Sequence, residues 1–475
     1  MSILRPKINV LDKEHKELIY NEAIEILGKQ GVFVKNFEVI KILKDEDIEI
    51  KNERFFLSRD IIERAIKTCP KEIKLYDREA KDYLKLSGDN IHFDPGSAAI
   101  YILDEHSGEI RLAQSQDFIK FSKIMNHLEH IEAQSTSMLY EDVPMNAQDW
   151  HRLYIALKYC YKPIITGTFR KESFSIMKEL LLTCRSSERE LADKPLAIFD
   201  ACPSPPLKWS DLTVQSVIDA AKSMIPVEFV SMPLAGANAP ITLIGSITQH
   251  CAETLSGLVI AQLVNKGAPV IWGGSPSIMD MRKGTTPMGA IETMMIDLGD
   301  AEMGKFLGLP THAYMGLSDS KTLDSQSGLE SSLGAILAAL AGINMISGLG
   351  MMNFESTQSL EKLIIDNDIA GMVKRLIKGI IDYGKPYAFE ILNDYNKTEE
   401  LLSHPSTLEL YKKELLFPSS IIDRNTLENW KRQGSQTARA RARDLIKRLG
   451  ERPIPREIDE RINKELDKIA HHYLN

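Results

Sequence analysis

Cysteine is sparse and unpaired in this sequence: Cys69, Cys160, Cys184, Cys202 and Cys251 are scattered, with no CxxC spacing. An odd, dispersed set gives neither a disulfide framework nor a zinc knuckle, and fits reduced thiols in a cytoplasmic protein, buried as small hydrophobes. The opening residues, MSILRPKINVLDKEHKELIYNEA, have no apolar run long enough for secretion or for crossing a membrane. No HxH, HExxH or Cys-His cluster is present, so no metal is expected. No GxGxxG follows an early strand pattern, no GxSxG elbow appears, and no lysine closes a strand as a Schiff base would need. Positive charge is also short: 58 Lys and Arg against 66 Asp and Glu give a net charge of -8, which leaves no footprint for nucleic acid. The run Arg439, Arg441, Arg443 reads as a solvated helix face.

What is there is a repeating rhythm in a chain of 475 residues, long enough for a large barrel with additions. The first ninety residues carry apolar positions at three and four residue spacing, which predicts small amphipathic helices. IHFDPGSAAIYILDEHSGEIRL, residues 91–112, reads as a hairpin with turns at DPGS and HSGE. Then come IEAQSTSM, KPIITGTF, PLAIFDACP, VEFVSMPL, APVIWGGSP, PTHAYMG and NMISGLGMM, most of them separated by helical patterns such as AETLSGLVIAQLVNKG. Strand, helix, strand at this spacing predicts a parallel sheet, and seven strands in order favour closure into a (β/α)8 TIM barrel. The eighth strand is expected either after the helix near Ser359 or from the 91–112 hairpin. The expected organisation is an N-terminal helical region with a β-hairpin over 1–125, the barrel core over 126–384, and a C-terminal helical region over 385–475.

In such a barrel, working residues stand at the C-terminal strand ends. These are Thr166, Gly167 and Phe169; Asp200 and Cys202; Met232; 272–275; 314–318; and 347–354. The stretch 308–328, GLPTHAYMGLSDSKTLDSQSG, crowds Asp319, Lys321, Asp324 and Gln326 behind a short strand, with Glu330 in the helix that follows. These five residues are expected to shape the pocket rim or its support, a capping and salt-bridge cluster being the competing reading. Aromatics beside small residues suit an alkylated cation, which has no N–H to donate. The cage is expected from Tyr101, Trp272, Tyr314 and Phe354, with His250 and His312 against the polar tail; packing is the alternative role for Trp272 and Tyr314. No catalytic residue is assigned.

At these residues the chain resembles the trimethylamine methyltransferase family. The likeness is carried in order by GSAAIYILDEHSGEIRLAQSQDF from Gly96, KPIITGTF, ANAPITLIGSITQHCAETLSGLVIAQLVNKGAPVIWGG from Ala237, MDMRKGTTPMGAIE from Met279, LSDSKTLDSQSGLE from Leu317, SLEKLIIDNDIAGMVKR from Ser359 and DRNTLENWKRQG from Asp423. The resemblance implies a barrel that moves a methyl group from an amine nitrogen to the Co(I) of a corrinoid (cobalamin) held by a separate partner protein, none being bound by this chain. Related trimethylamine enzymes carry pyrrolysine, whereas this chain has only standard residues. A quaternary, betaine-like substrate is therefore implied, such as glycine betaine, proline betaine or carnitine. Ser347 stands where several relatives have histidine, and His404, Pro405, Ser406 and Thr407 stand where many show a His-Thr pair. An unrelated barrel lyase or isomerase and a non-catalytic binder of quaternary amines are the competing functions. No membrane partner is expected, and self-association into a homo-oligomer is left open.

Overall fold

The computed structural model describes residues 3–398 and 400–474. Eight parallel strands carry the architecture: β1 His92–Phe93, β2 Gln134–Ser135, β3 Ile164–Gly167, β4 Ala197–Ala201, β5 Val227–Ser231, β6 Val270–Gly274, β7 His312–Tyr314 and β8 Met345–Ser347. Strands β2 to β6 pair in sequence order, and β7 pairs with β8, which pairs with β1. Two short junctions close the ring. Trp272 N donates to Pro310 O at 2.9 Å, joining β6 to the start of β7, and the amides of Glu132 and Ala133 donate to Phe93 O at 3.1 and 3.2 Å, joining β1 to β2. The fold is a TIM barrel.

A helix follows each strand: α1 Ser115–Met125, α2 Gln148–Tyr159, α3 Ser173–Leu182, α4 Asp211–Lys222, α5 Leu243–Val264, α6 Ile291–Phe306, α7 Ser325–Ala341 and α8 Leu360–Ile377. The local sequence sets their ends. Asp324 caps α7 by accepting from the amides of Gln326 and Ser327, and Gly342 ends the helix in the left-handed conformation, φ 73°, that a residue without Cβ adopts at least cost. Strands such as VEFVS and VIWGG are buried along their whole length, as expected of a parallel sheet with side chains inside the barrel and helices outside.

Alternation along the strands decides which side chains enter the barrel. The floor is apolar: Ala133, Ile165, Ile198, Ile271 and Met345 pack on Ile73, Leu75 and Leu86 of a hairpin, Ile73–Tyr76 and Tyr83–Leu86, that plugs the N-terminal end. One step up each strand, the inward positions are polar or glycine.

The eighth strand comes from the 91–112 segment, so the barrel begins at His92 and not at 126. Two residues pairing on either side gave no periodic signal, and the strand was legible only as the base of a hairpin. The hairpin proper is Tyr101–Leu103 with Ile110–Leu112, an insertion between β1 and α1 whose first arm pairs with Thr357–Gln358 beyond β8. The first three helices, Lys13–Lys29, Phe37–Asp45 and Arg59–Thr68, pack on α5, which is why that barrel helix is buried over most of its length. Helix Ala438–Gly450 packs on α8 and α1, and helix Glu460–Leu474 on α2 and α3. Arg439 and Arg443 both pair with the buried carboxylate of Glu361, at 3.1 and 2.6 Å, so they pin the C-terminal region to α8. No described helix is long and apolar enough to cross a membrane.

Candidate active site

Above the floor, inward positions follow from register. Ile198 faces in, so Asp200 two residues on does too; Asp200 pairs with Glu228, and Glu228 with Ile271. His312 pairs with the inward Met345, and Tyr314 with Ser347. Gly167 and Gly273 complete this level without side chains, and Gly273 has no room for one: a Cβ there would lie 2.8 Å from His312 Nδ1.

A chain of polar contacts crosses this level. Ser347 Oγ donates to Asp94 Oδ2 and lies 2.8 Å from His312 Nε2, while His312 Nδ1 is 2.9 Å from Glu228 Oε1. The serine proton is committed to Asp94, so Ser347 Oγ accepts from His312 Nε2–H, which leaves Nδ1 as the lone-pair nitrogen of a neutral ring facing Glu228. The 2.9 Å contact is close without hydrogen-bond alignment. Burial pushes Glu228 up to about 8 and pulls His312 down, which agrees with a protonated acid beside a neutral imidazole. Asp94 is raised by burial to about 6, held from rising further by the nearby His312 ring, by the Ser347 hydroxyl and by the Gly96 amide. Asp200 is pushed well above the usual carboxylate range, first by burial and then by Glu228, and its Oδ1 has no hydrogen-bond partner.

The next level up contains Tyr314, Val230, Met288, Leu317, Ala99 and Met351, with Cys202 and Met232 against them. Tyr314 stands edge-on to His312, ring centroids 5.0 Å apart. Glu355 enters from the loop after β8, its Oε1 accepting from Ser275 Oγ at 3.1 Å. That loop is strained: Asn353, Phe354 and Glu355 are all left-handed, φ 51, 54 and 65°. Each such residue costs about 1–2 kcal/mol, a conformation retained where it positions a functional group. Burial raises Glu355 to about 7. On the β2 and β3 side, Arg152 of α2 reaches the mouth, donating to Thr136 O at 2.6 Å.

Of the expected residues, Tyr314, His312 and Ser347 meet inside the barrel. Trp272 and His250 do not. Trp272 is on the outward parity of β6, wedged between α5 and α6 with Nε1 donating to Asp300 O at 2.9 Å. His250 lies on α5, outside the same strand, with Nε2 donating to Gly273 O at 3.0 Å and Nδ1 3.4 Å from Asp300 Oδ1. Strand pairing fixes parity, and a tryptophan before two glycines gave no sign of which side it took. Phe354 has the Lys321 ammonium 3.8 Å from its ring centroid, so that face already holds a cation. Tyr101 sits in the hairpin arm beside Thr357. An aromatic cage of four rings is therefore not assembled.

The 319–330 cluster fastens loops. Asp319 accepts from the amides of Met288 and Gly289 at 3.0 and 2.8 Å, tying the loop after β6 to the loop after β7. Glu330 accepts from Ser318 Oγ, the Asp319 amide and Gln326 Nε2, and Lys321 donates to Asp319 O at 2.7 Å. Asp324 is the cap of α7. His404 caps helix Pro405–Glu414, its Nδ1 accepting from Ser406 N at 3.2 Å.

Asp94, Arg152, Glu228 and Glu355 were not singled out from the sequence. Glu228 left a readable sign, a carboxyl inside the apolar run VEFVS, because a buried strand admits a charge only with a reason. Asp94, Arg152 and Glu355 come from a turn, a helix and a loop, where no periodicity marks them.

A buried acid layer at the C-terminal end of a TIM barrel stands where such barrels carry their active centres. The family model for trimethylamine methyltransferase (MTTB) matches residues 2–472, and the chain belongs to that family. It is 27% identical over 471 residues to the glycine betaine methyltransferase of Desulfitobacterium hafniense (strain Y51), covering 98% of this chain and 97% of that one. It is 30% identical over 468 residues to the trimethylamine methyltransferase MttB of Methanosarcina thermophila, covering 95% of each. Among solved structures, the Methanosarcina barkeri monomethylamine methyltransferase (MtmB) superposes with a TM-score of 0.55 at 13% identity, over 94% of this chain and 89% of that chain.

Proposed function

We propose that the chain removes a methyl group from a quaternary amine bound in the barrel mouth and delivers it to a corrinoid carried by a partner protein. The observation that supports this is the convergence of Asp94, Asp200, Glu228 and Glu355 at the C-terminal strand ends. An alkylated ammonium cannot donate hydrogen bonds, so its partners must be negative charge and polarisable surface; Asp94 and Glu355 in their ionised forms supply the first, and Tyr314, Met232, Met288 and Met351 the second. The corrinoid would supply a Co(I) nucleophile. As the carbon–nitrogen bond breaks, nitrogen keeps the bonding pair and leaves as a neutral tertiary amine, so no proton donor is needed. This chain's residues hold the cation, exclude water and orient the methyl group for in-line attack. Loss of positive charge during the reaction weakens the hold of the carboxylates, which favours release of the product amine.

The reading is tested by incubating the purified protein with cob(I)alamin and a panel of quaternary amines, following the cobalt spectrum and the demethylated amine by mass spectrometry. Stoichiometric loss of one methyl group from one amine is expected. Absence of transfer from every quaternary amine, with transfer from a tertiary amine instead, would replace the substrate class. A lyase or isomerase would convert its substrate with no corrinoid present.

A further inference from the structure

The acid layer accounts for a cation, but one residue at the same mouth has the opposite charge and no use in that account. Arg152 is 1% exposed. Its Nη1 donates to Thr136 O at 2.6 Å at the end of β2, its Nε has no hydrogen-bond partner, and among the described residues no carboxylate forms an ion pair with it. The carboxylate best placed by sequence, Asp149 one turn earlier on α2, is engaged elsewhere: it accepts from the Phe169 amide at 2.8 Å and from Ser173 Oγ at 2.9 Å. The guanidinium lies 4.6 Å from the ring centroid of Phe169, itself 45% exposed at the end of β3. Its hydrogen bond to Thr136 O, just past β2, and its packing on Phe169, just past β3, put the guanidinium at the C-terminal strand ends, next to the strand that carries Asp200.

A buried guanidinium without a counter-ion is costly, and it persists where an anion arrives to complete it. Its planar fork suits a carboxylate, and the aromatic face beneath it holds the plane in position. Resting on the quaternary-amine reading above, we infer that Arg152 binds the carboxylate of the substrate, so that the site selects zwitterions of the betaine type over quaternary cations with a neutral tail. The mouth then matches the ligand at both ends: carboxylates around the ammonium, and the guanidinium with Phe169 at the acid.

The test compares glycine betaine with choline, which has the same trimethylammonium head and a hydroxyl in place of the acid, by calorimetric titration of the full-length protein without corrinoid. Wild type is expected to bind glycine betaine at least about tenfold more tightly than choline, the worth of one charge-assisted contact. Arg152→Gln is expected to lose about tenfold or more for glycine betaine and less than about threefold for choline, with Arg152→Lys between the two because a point charge replaces the fork. Wild type binding choline as tightly as glycine betaine would overturn the inference without any variant, while leaving the quaternary-amine reading standing. Equal loss of both ligands in Arg152→Gln would likewise assign the residue to the framework. If wild type binds no quaternary amine of the panel, the substrate reading itself falls and the inference with it.

Discussion

Ser347 Oγ stands between His312 Nε2, 2.8 Å away, and Asp94, to which it donates, so that a single hydroxyl joins the histidine of β7 to the acid at the end of β1. Through His312 the same chain reaches Glu228 on β5. The arrangement fixes the ring's tautomer and the orientation of Asp94.

Removing that hydroxyl gives the first prediction. In Ser347→Ala, Asp94 loses a hydrogen bond that favours its charged form, so its pKa climbs above about 6 and the acid limb of the pH–rate profile moves to higher pH. Stability is expected to fall by about 1–2 kcal/mol, because two buried polar groups lose a partner. Steady-state rates across pH, with thermal denaturation of the same variant, check both parts. An unmoved acid limb would remove Asp94 from the titrating set.

The second concerns pH and the cation itself. Burial raises Asp94 to about 6 and Glu355 to about 7, so both lose their protons on passing from mildly acidic to mildly alkaline solution. A tetraalkylammonium is attracted only by the ionised form, so binding of tetramethylammonium should tighten as pH rises, by up to about tenfold per pH unit for each proton displaced. Folding has the opposite sign. Carboxyls whose folded pKa exceeds the unfolded value hold extra protons when folded, so stability falls as pH climbs from about 4 through the folded values. Calorimetric titration and melting curves at three pH values read the two trends, and Glu355→Gln should flatten both.

Space inside the acid layer is the third. A Cβ at Gly273 would meet His312 Nδ1 at 2.8 Å and Phe229 O at 2.9 Å, and strand backbone cannot yield, so Gly273→Ala should displace the imidazole. A loss of about 1–3 kcal/mol of stability is expected, together with loss of turnover. Gly328 on α7 has nothing within 4 Å, so Gly328→Ala should be neutral or stabilising by about 0.5 kcal/mol, with unchanged activity. The pair of melting temperatures is the measurement.

The fourth separates two aromatic residues that the sequence could not tell apart. Trp272→Leu removes the outer-face packing and the donor to Asp300 O, and should cost about 2–4 kcal/mol of stability while leaving amine affinity unchanged. Tyr314→Leu removes an inward ring and should weaken quaternary-amine binding about threefold to thirtyfold. Equal affinities in the two variants would show that Tyr314 is packing too.

The barrel itself was written in the order of the chain. Runs such as KPIITGTF, VEFVSMPL and APVIWGGSP, each followed by an apolar helix, allow little other than a parallel sheet, because short hydrophobic strands joined by helices have no other way to bury both faces. The position of the working end followed with it, as did Asp200, Tyr314 and Ser347 as strand-end residues. What the chain alone left open was decided by pairing. The first strand has two residues, too few for a period, and exists because β8 and β2 offer it backbone partners on both sides. Register put His312 inside and Trp272 outside, a distinction of one residue's parity that composition does not carry. Arg152 and Glu355 reach the mouth from a helix and from a left-handed turn, so their place depends on the angle at which those elements meet the barrel. An acid layer built from separate strands is a property of the closed ring, since only closure brings Asp94, near the start of the barrel, against Ser347 at its end.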